Sequence, residues 1–319
     1  TMSNRLAIII YPRVNDYSSR IIKESHFLIN ESIVDKVLIL SMHYDDKLDF
    51  EFNESPKIKI KRIITKAHRL PKNAIGDIIK FKEFTIKCKK IISKLSPTIV
   101  SPHSVSVLPI GTWAKRKKHC VLIYDAHELE TERYKLKGIR QKIAQFLEQK
   151  HIRKCDKVVV VNETIANWYK QKYNITNVFY VENIPLNPYE GKIMQASDKL
   201  RIDLNIPSDK IIFIYQGILS LGRGVSELVE IFKSGKVYKD RVIVFMGYGE
   251  FENEIKQVSS NNEQVYFKSA VKQDQILEYT SGADVGLFYI LDKNLCLSYK
   301  MSLPNKFYEY SIAGLYISV

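Results

Sequence analysis

Two doubly wound α/β domains in tandem are what this sequence predicts, on three observations. Short β-branched runs recur along all 319 residues, most of them separated by stretches long enough for a helix. The runs are apolar at consecutive positions, as strands of a parallel sheet covered on both faces must be. One stretch, NIPLNPYEGKIMQAS (183–197), holds two prolines, a glycine and no periodicity, and it parts the runs into two series.

The first series is LAIIIYP (6–12), KVLILS (36–41), KIKIKRI (57–63), TIVS (98–101), CVLIYD (120–125), KVVVV (157–161) and NVFYVEN (177–183). Between the strands, apolar residues at three- and four-residue spacing predict amphipathic helices: Ile21, Ile22, Phe27 and Leu28 in one, Ile139, Ile143, Phe146 and Leu147 in another. The second series is KIIFIYQG (210–217), RVIVFMG (241–247), QVYFKSA (264–270), DVGLFYI (284–290) and LYISV (315–319). The division is therefore an N-terminal Rossmann-like domain over 1–185, a linker over 186–197 and a second Rossmann-like domain over 198–319. Two such sheets are expected to face a cleft at their carboxyl ends, which is where sheets of this kind bind ligands. The fold alone names no chemistry.

Composition and motifs narrow the chemistry by exclusion. No window approaches the roughly 18 apolar residues of a membrane-spanning helix, and LAIIIYP is too short and too soon broken for a signal peptide, so a cytoplasmic chain is expected. Cys88, Cys120, Cys155 and Cys296 are scattered without a C-x-x-C pair, which suggests reduced, structural thiols rather than a zinc site or disulfides. Gly247-Tyr248-Gly249 has Glu252 where a dinucleotide fingerprint needs its third glycine, and no phosphate-loop motif occurs. HELET, from His127, has Thr131 where a helical zinc-protease pair needs its second histidine. No Asp-x-Asp is present to hold a divalent metal on a sugar diphosphate, so no metal and no cofactor are expected. The net charge of +14 permits nucleic-acid binding, but no reading helix, RNA-binding strand motif or zinc knuckle accompanies it.

Against that background the order of several blocks becomes specific. YDAHELE (124–130), KCDKVVVVNETIANWY (154–169) and VFYVENIP (178–185) resemble the N-terminal half of glycosyltransferase family 4, a family of the GT-B fold. FIYQGILSLGRGVSELVEIF (213–232), IVFMGYGEFENEI (243–255), VYFKSAVKQDQILEYTSGADVGLFYI (265–290) and LPNKFYEYSIAGLYISV (303–319) resemble its C-terminal half. The sub-pattern is similar to that of bacterial enzymes building capsule, O-antigen and exopolysaccharide. The resemblance implies transfer of a hexose-type sugar from a nucleoside diphosphate, UDP or GDP, to a glycan hydroxyl. The C-terminal domain would bind the donor and the N-terminal one the acceptor.

The same resemblance assigns residues, and elementary chemistry agrees with several. Pro304 and Asn305 open a helix whose unpaired N–H groups suit a diphosphate, with Lys306 as a point charge and Arg223, before Gly224, as a planar fork. Together they would neutralise the leaving group without a metal. Glu309 would accept the ribose hydroxyls, Gly217, Gly247 and Gly249 would let backbone approach the ligand, and backbone around Ser269 to Val271 would meet the base. His127, just after the fifth strand, would sit near the transferred sugar and acceptor, flanked by Asp125 and Glu128 as orienting carboxylates, and Arg20 is a second acceptor-side candidate.

Two positions depart from the family. Met301 stands eight before Glu309, where a first glutamate contacts the donor sugar, and the expected arginine five before the phosphate-binding lysine is missing. Asn294, Tyr299 and Lys300, in the loop before LPNK, are the candidate replacements. The family also continues beyond the strand that LYISV begins, so the resemblance reads the C-terminal domain as incomplete.

The charge excess is local: 57–94 holds thirteen Lys or Arg against two acids, Asp77 and Glu83. As a helix, 72–95 would put Ile75, Ile78, Ile79, Ile86 and Ile92 near one face amid lysines. Such a segment suits the anionic inner face of the cytoplasmic membrane, where an acceptor on a polyprenyl diphosphate would lie. The same isoleucines could equally pack on the sheet. A nucleotide-sugar epimerase or hydrolase of this fold, and a non-catalytic sugar-nucleotide-binding subunit, stay open as alternatives.

Overall fold

The structure, a computed structural model, describes residues 4–12, 19–43, 55–65, 70, 74–133, 136–185, 194–288, 296–302 and 304–318. The chain divides into two compact units, one of Thr1–Asn183 with Cys296–Ser302, the other of Ile184–Leu295 with Leu303–Val319. Most of the expected linker, and Asn294, lie outside the described residues.

In the N-terminal unit the chain runs β1 (Leu6–Tyr11), α1 (Ser19–Asn30), β2 (Lys36–His43), β3 (Ile58–Ile64), α2 (Ala74–Ser93), β4 (Ile99–Pro102), α3 (Leu108–Lys118), β5 (Val121–Asp125), α4 (Ile139–His151), β6 (Lys157–Val160), α5 (Glu163–Tyr173) and β7 (Val178–Tyr180). The seven strands form one sheet in the order β3-β2-β1-β4-β5-β6-β7, every pair parallel. Its two faces explain the unbroken apolar runs. Ile8 and Ile10 pack on one side against Phe84, Cys88 and Ile92 of α2, while Ala7, Ile9 and Tyr11 pack on the other with Ile21 and Leu28 of α1. Full burial of Ile8, Ile9 and Ile10, each 0% exposed, contributes on the order of 1.5–3 kcal/mol per side chain.

The C-terminal unit runs α6 (Lys199–Leu204), β8 (Ile211–Ile218), α7 (Val225–Lys233), β9 (Arg241–Tyr248), α8 (Glu252–Ser259), β10 (Val265–Ser269), α9 (Ile276–Thr280), β11 (Val285–Leu287), then α11 (Asn305–Ile312) and β12 (Tyr316–Ser318); α10 (Leu297–Lys300) lies in the segment that packs with the N-terminal unit. Its sheet is parallel, in the order β10-β9-β8-β11-β12. Both sheets turn outward from their first strand, so each has a switch point beside β1 or β8 where ligands of doubly wound sheets bind.

Three expectations change. HELET is not helical: His127 to Glu132 run as bends and turns after β5, so no helical pair of ligands was available there. In α2 the expected isoleucine face is buried only at Ile92. Phe84, Cys88 and Ile92 enter the core, whereas Ile75, Ile78, Ile79 and Ile86 are 70%, 51%, 44% and 58% exposed. In α4, Ile139 and Phe146 are exposed and the fully buried position is Glu148. Its carboxylate accepts hydrogen bonds from the hydroxyls of Tyr124 (2.8 Å), Tyr169 (2.8 Å) and Tyr173 (2.5 Å), which is why a charged residue is tolerated in this core.

Candidate active site

In the N-terminal unit, the carboxyl ends of β4 and β5 carry His103 and Asp125–His127, and α1 brings Arg20 and Glu24 to them. Asp125, 4% exposed, accepts the Arg20 Nε–H on both oxygens at 3.1 Å, and Arg20 Nη1 also donates to the Val181 carbonyl at 2.9 Å. His127 Nε2 lies 2.9 Å from His103 Nδ1 and 3.8 Å from Asp125 Oδ1. The other His103 nitrogen, Nε2, faces Glu24 Oε2 at 3.1 Å and the Ser101 hydroxyl at 3.2 Å. The Tyr11 ring stacks over His127 with centroids 6.2 Å apart.

The electrostatics follow from that packing. Burial pushes the Asp125 carboxyl up, but His103, His127 and Arg20 outweigh it and hold the group below the usual carboxylate range. Burial likewise disfavours the charged form of His103, yet Glu24 and Asp125 prevail and its pKa is raised. His103, Asp125 and His127 each bring a ligand atom within 4.8 Å of the others, the one such cluster among the described residues. A cation already occupies the carboxylate there: with both Asp125 oxygens on the Arg20 guanidinium, the arrangement reads as an ion-pair and proton network rather than a metal cage. Arg20, Asp125 and His127, singled out in the sequence, therefore come together. Glu128 is held instead by Arg133 Nε (2.7 Å) and the Ser298 hydroxyl (3.2 Å).

The sequence reading missed His103 and Glu24. His103 carried a usable signal, because SPHS follows β4 just as DAH follows β5, and the rule that selects one carboxyl end selects the other. Glu24 had none, since its place depends on how α1 packs.

In the C-terminal unit the second constellation is built on β8 and α11. Gln216, 4% exposed, uses both ends of its amide: Nε2 donates to Glu309 Oε2 at 2.5 Å and Oε1 accepts from the Thr280 hydroxyl at 2.7 Å. One turn before Glu309, Lys306 sets its ammonium 3.9 Å from the centre of the Tyr215 ring. Burial, with Arg223 nearby and Glu309 only partly offsetting, brings the Lys306 ammonium down to about 7. Burial raises the Glu309 carboxyl in spite of its bond from Gln216. Tyr310, fully buried, fixes α11 to the sheet by accepting the Gln216 N–H at 3.1 Å and reaching the Ile214 and Leu287 carbonyls.

Pro304 precedes α11 with extended backbone and no side chain caps its first turn, so the N–H groups at Asn305 and Lys306 have no intrahelical acceptor. Gly224, at φ 71°, opens α7 directly after Arg223. Gly247 and Gly249 are glycines for a reason the sequence did not foresee. A Cβ at Gly247 would lie 1.9 Å from the Gly217 carbonyl oxygen, and one at Gly249 2.3 Å from that of Leu219, so the close approach is of β8 to β9. Val271, partly buried, packs its side chain against the core that holds Ile214, Val244 and Tyr279. Gln216 and Thr280 were not foreseen; Gln216 lay in view within YQG, at the end of the central strand.

Residues 35–183 match the family model of Glycosyltransferase Family 4. Over nearly the whole chain the fold matches solved structures at low identity. Sucrose-phosphate synthase from Thermosynechococcus elongatus aligns with TM-score 0.68 and 13% identity over 92% of this chain and 77% of that one. HepE from Anabaena in complex with UDP gives 0.67 and 12% over 98% and 79%. WaaG, a glycosyltransferase involved in lipopolysaccharide biosynthesis, gives 0.65 and 12% over 98% and 80%. No curated protein matches the sequence. Glycosyltransferase family 4, recognised in the sequence, is the family of the N-terminal match, and GT-B is the fold of the chain.

Proposed function

We propose that this protein transfers a hexose-type sugar from a nucleoside diphosphate to a hydroxyl of a lipid-linked glycan in bacterial surface-polysaccharide synthesis, without a metal. The observation that carries the donor half is the group on α11. A half-buried lysine over an aromatic ring, an arginine beside it and uncapped helical N–H groups make one anion site. Three residues on, a carboxylate braced by Gln216 is placed to accept hydroxyl donors such as those of a ribose. Those cations would stabilise the diphosphate as its bond to the anomeric carbon breaks, the role a metal plays elsewhere. HepE is solved with UDP and with UDP-glucose, which supports UDP as the first nucleotide to test.

The acceptor half rests on the His103–His127 pair. With the His103 Nε2 proton held toward Glu24, His103 Nδ1 accepts from His127 Nε2–H, and His127 Nδ1 is the basic nitrogen. When Nδ1 takes the proton of the attacking hydroxyl, the Nε2 proton passes to His103, whose positive charge Glu24 and Asp125 stabilise. The membrane half is supported by α2, whose exposed isoleucines alternate with Lys80, Lys82, Lys87, Lys89 and Lys90. No helix among the described residues is long and apolar enough to cross a membrane, so attachment would be peripheral, at the inner leaflet.

A thermal-shift panel of UDP, GDP, ADP, CMP and TDP, with and without magnesium, tests the reading. One nucleoside diphosphate giving a magnesium-independent shift that disappears in Glu309→Ala supports it. No shift from any, in a protein with a cooperative melt, rejects the donor site.

A further inference from the structure

In the C-terminal unit a relay of side chains ends on Glu309. It starts at Thr280, the last residue of α9 and 0% exposed, whose hydroxyl donates to Gln216 Oε1 at 2.7 Å. Gln216, on β8, then donates from Nε2 to Glu309 Oε2 at 2.5 Å. The backbone of Gln216 is fixed separately, because its N–H donates to the hydroxyl of Tyr310, the residue after Glu309, at 3.1 Å. Tyr310 thus already ties β8 to α11, and the Thr280–Gln216 chain is not needed to join them.

What the chain supplies is direction. A glutamine amide turned end for end keeps its shape but exchanges donor for acceptor, and beside a carboxylate only the N–H end is favourable. The donor on the far side of the amide selects that end. The Thr280 hydroxyl has one proton and two acceptors at 2.7 Å, Gln216 Oε1 and the Ile276 carbonyl. Pointed at Oε1, the proton holds Nε2 toward Glu309. Without that hydroxyl, Oε1 loses the donor it meets here, a loss that costs most in a buried group, and a reversed amide would set a carbonyl against the Glu309 carboxylate.

We propose that Thr280 is a positioning residue that sets a preference for ribose over deoxyribose, acting through the Gln216 amide on the Glu309 carboxylate. The inference rests on the reading of Glu309 as the acceptor of ribose hydroxyls and names what gives that contact its direction. With Oε2 engaged by Gln216 the carboxylate is held against rotation, and Oε1 is the oxygen a ligand hydroxyl meets. A fixed acceptor rejects a ligand that lacks the hydroxyl more strongly than a mobile one, because the fixed group is left without a partner while the mobile one turns to another donor.

The test is calorimetric titration of the full chain with UDP, GDP and the 2′,3′-dideoxy analogue of each. Whichever base binds, the wild-type protein is expected to prefer the ribose form by about ten- to hundred-fold, the range of a hydrogen bond to a charged group. Thr280→Val keeps the shape and removes the hydroxyl, so the preference should fall to about three-fold or less, with the dideoxy form bound as in the wild type. Thr280→Ser, which restores the donor, should return the preference, and Gln216→Met should lose it as Thr280→Val does. Thr280→Ala serves as the hydroxyl-free variant if the valine protein does not melt cooperatively. A purely structural role weakens both forms together, so a wild-type ratio in the hydroxyl-free variant, or a lost ratio that Thr280→Ser does not restore, overturns the proposal. A wild-type protein that binds both forms equally overturns it together with the ribose contact at Glu309 and spares the anion site. Binding of no nucleotide removes the donor reading as well.

Discussion

If a diphosphate docks against Lys306, its affinity must fall as pH rises through neutrality. The Lys306 ammonium is brought down to about 7 by burial and by Arg223, so at pH 8.5 the unliganded side chain is largely neutral and must take up a proton to pair with the ligand. The direction is fixed by linkage: an anion binds the protonated form, so binding raises the lysine's pKa and is strongest below its unliganded value. With 1.36 kcal/mol per pKa unit, moving from pH 6.5 to 8.5 weakens binding about 25-fold, or about 2 kcal/mol. The ligand's own terminal phosphate, with a second ionisation near pH 6, acts in the opposite sense and is nearly complete by pH 7. Titration calorimetry of the best nucleoside diphosphate between pH 6.5 and 8.5 measures the slope. In buffers of different ionisation enthalpy it also measures proton uptake, which should approach one per nucleotide at pH 8.5. Lys306→Met keeps the bulk over Tyr215 and should bind weakly with no fall over this range. A wild-type affinity independent of pH, or a Met variant with the same slope, would refute the argument.

Asp125→Ala should cost about 3–5 kcal/mol in urea unfolding at pH 7, because it strands the Arg20 guanidinium, whose side chain is 9% exposed; adding Arg20→Met should recover much of that loss. Gly286→Ala would set a Cβ 2.5 Å from the Tyr310 ring and should destabilise the C-terminal unit by about 1–3 kcal/mol, read as a lower thermal midpoint without loss of helical signal. Burial raises the Glu148 carboxyl above its ordinary 4.5 despite three tyrosine hydroxyls, so its contribution to stability is full below pH 4.5 and is lost as pH rises through the folded value. Glu148→Gln should remove that decline from the pH–stability curve, and parallel curves for the two proteins would show that Glu148 ionises as in the unfolded chain.

What the sequence made legible, and what it did not, follows from range. The strands were plain because a parallel strand buried on both faces needs an unbroken apolar run, and Ile8, Ile9 and Ile10 serve two cores at once. The blocks around Lys306 and Glu309 were plain because one helix carries both. Helix faces were not. In α2 the isoleucines have the spacing of a core stripe, but Phe84, Cys88 and Ile92 fill the space over β1 and β2, and the period alone cannot say which stripe wins. Nor could any local signal place Glu148 beneath three tyrosines that lie 21 to 25 residues away. The histidine pair fell between these cases: each residue ends a legible strand, but β4 and β5 had first to be neighbours.

Met301 shows how such long-range packing constrains chemistry. Its carbonyl accepts the Asn162 side-chain N–H at 2.6 Å, and the same Asn162 caps α5 by accepting the Ile165 N–H at 2.9 Å. The Met301 side chain packs on the core that contains Ile165, Tyr169 and Tyr173, as does that of Leu297 one turn earlier. A glutamate in this place would trade that apolar contact for a carboxylate against the same side chains, and desolvation would favour its neutral form. The departure from the family at this position is therefore not a lone substitution that a point change could reverse. It belongs to a segment, Cys296–Ser302, committed to packing with the N-terminal unit. On the proposed reading, contacts to the donor sugar would come from other residues, while the groups proposed to meet the diphosphate and ribose sit on β8 and α11. The proposed nucleotide contacts therefore do not draw on Met301, which is why nucleotides rather than sugars are the ligands to test first.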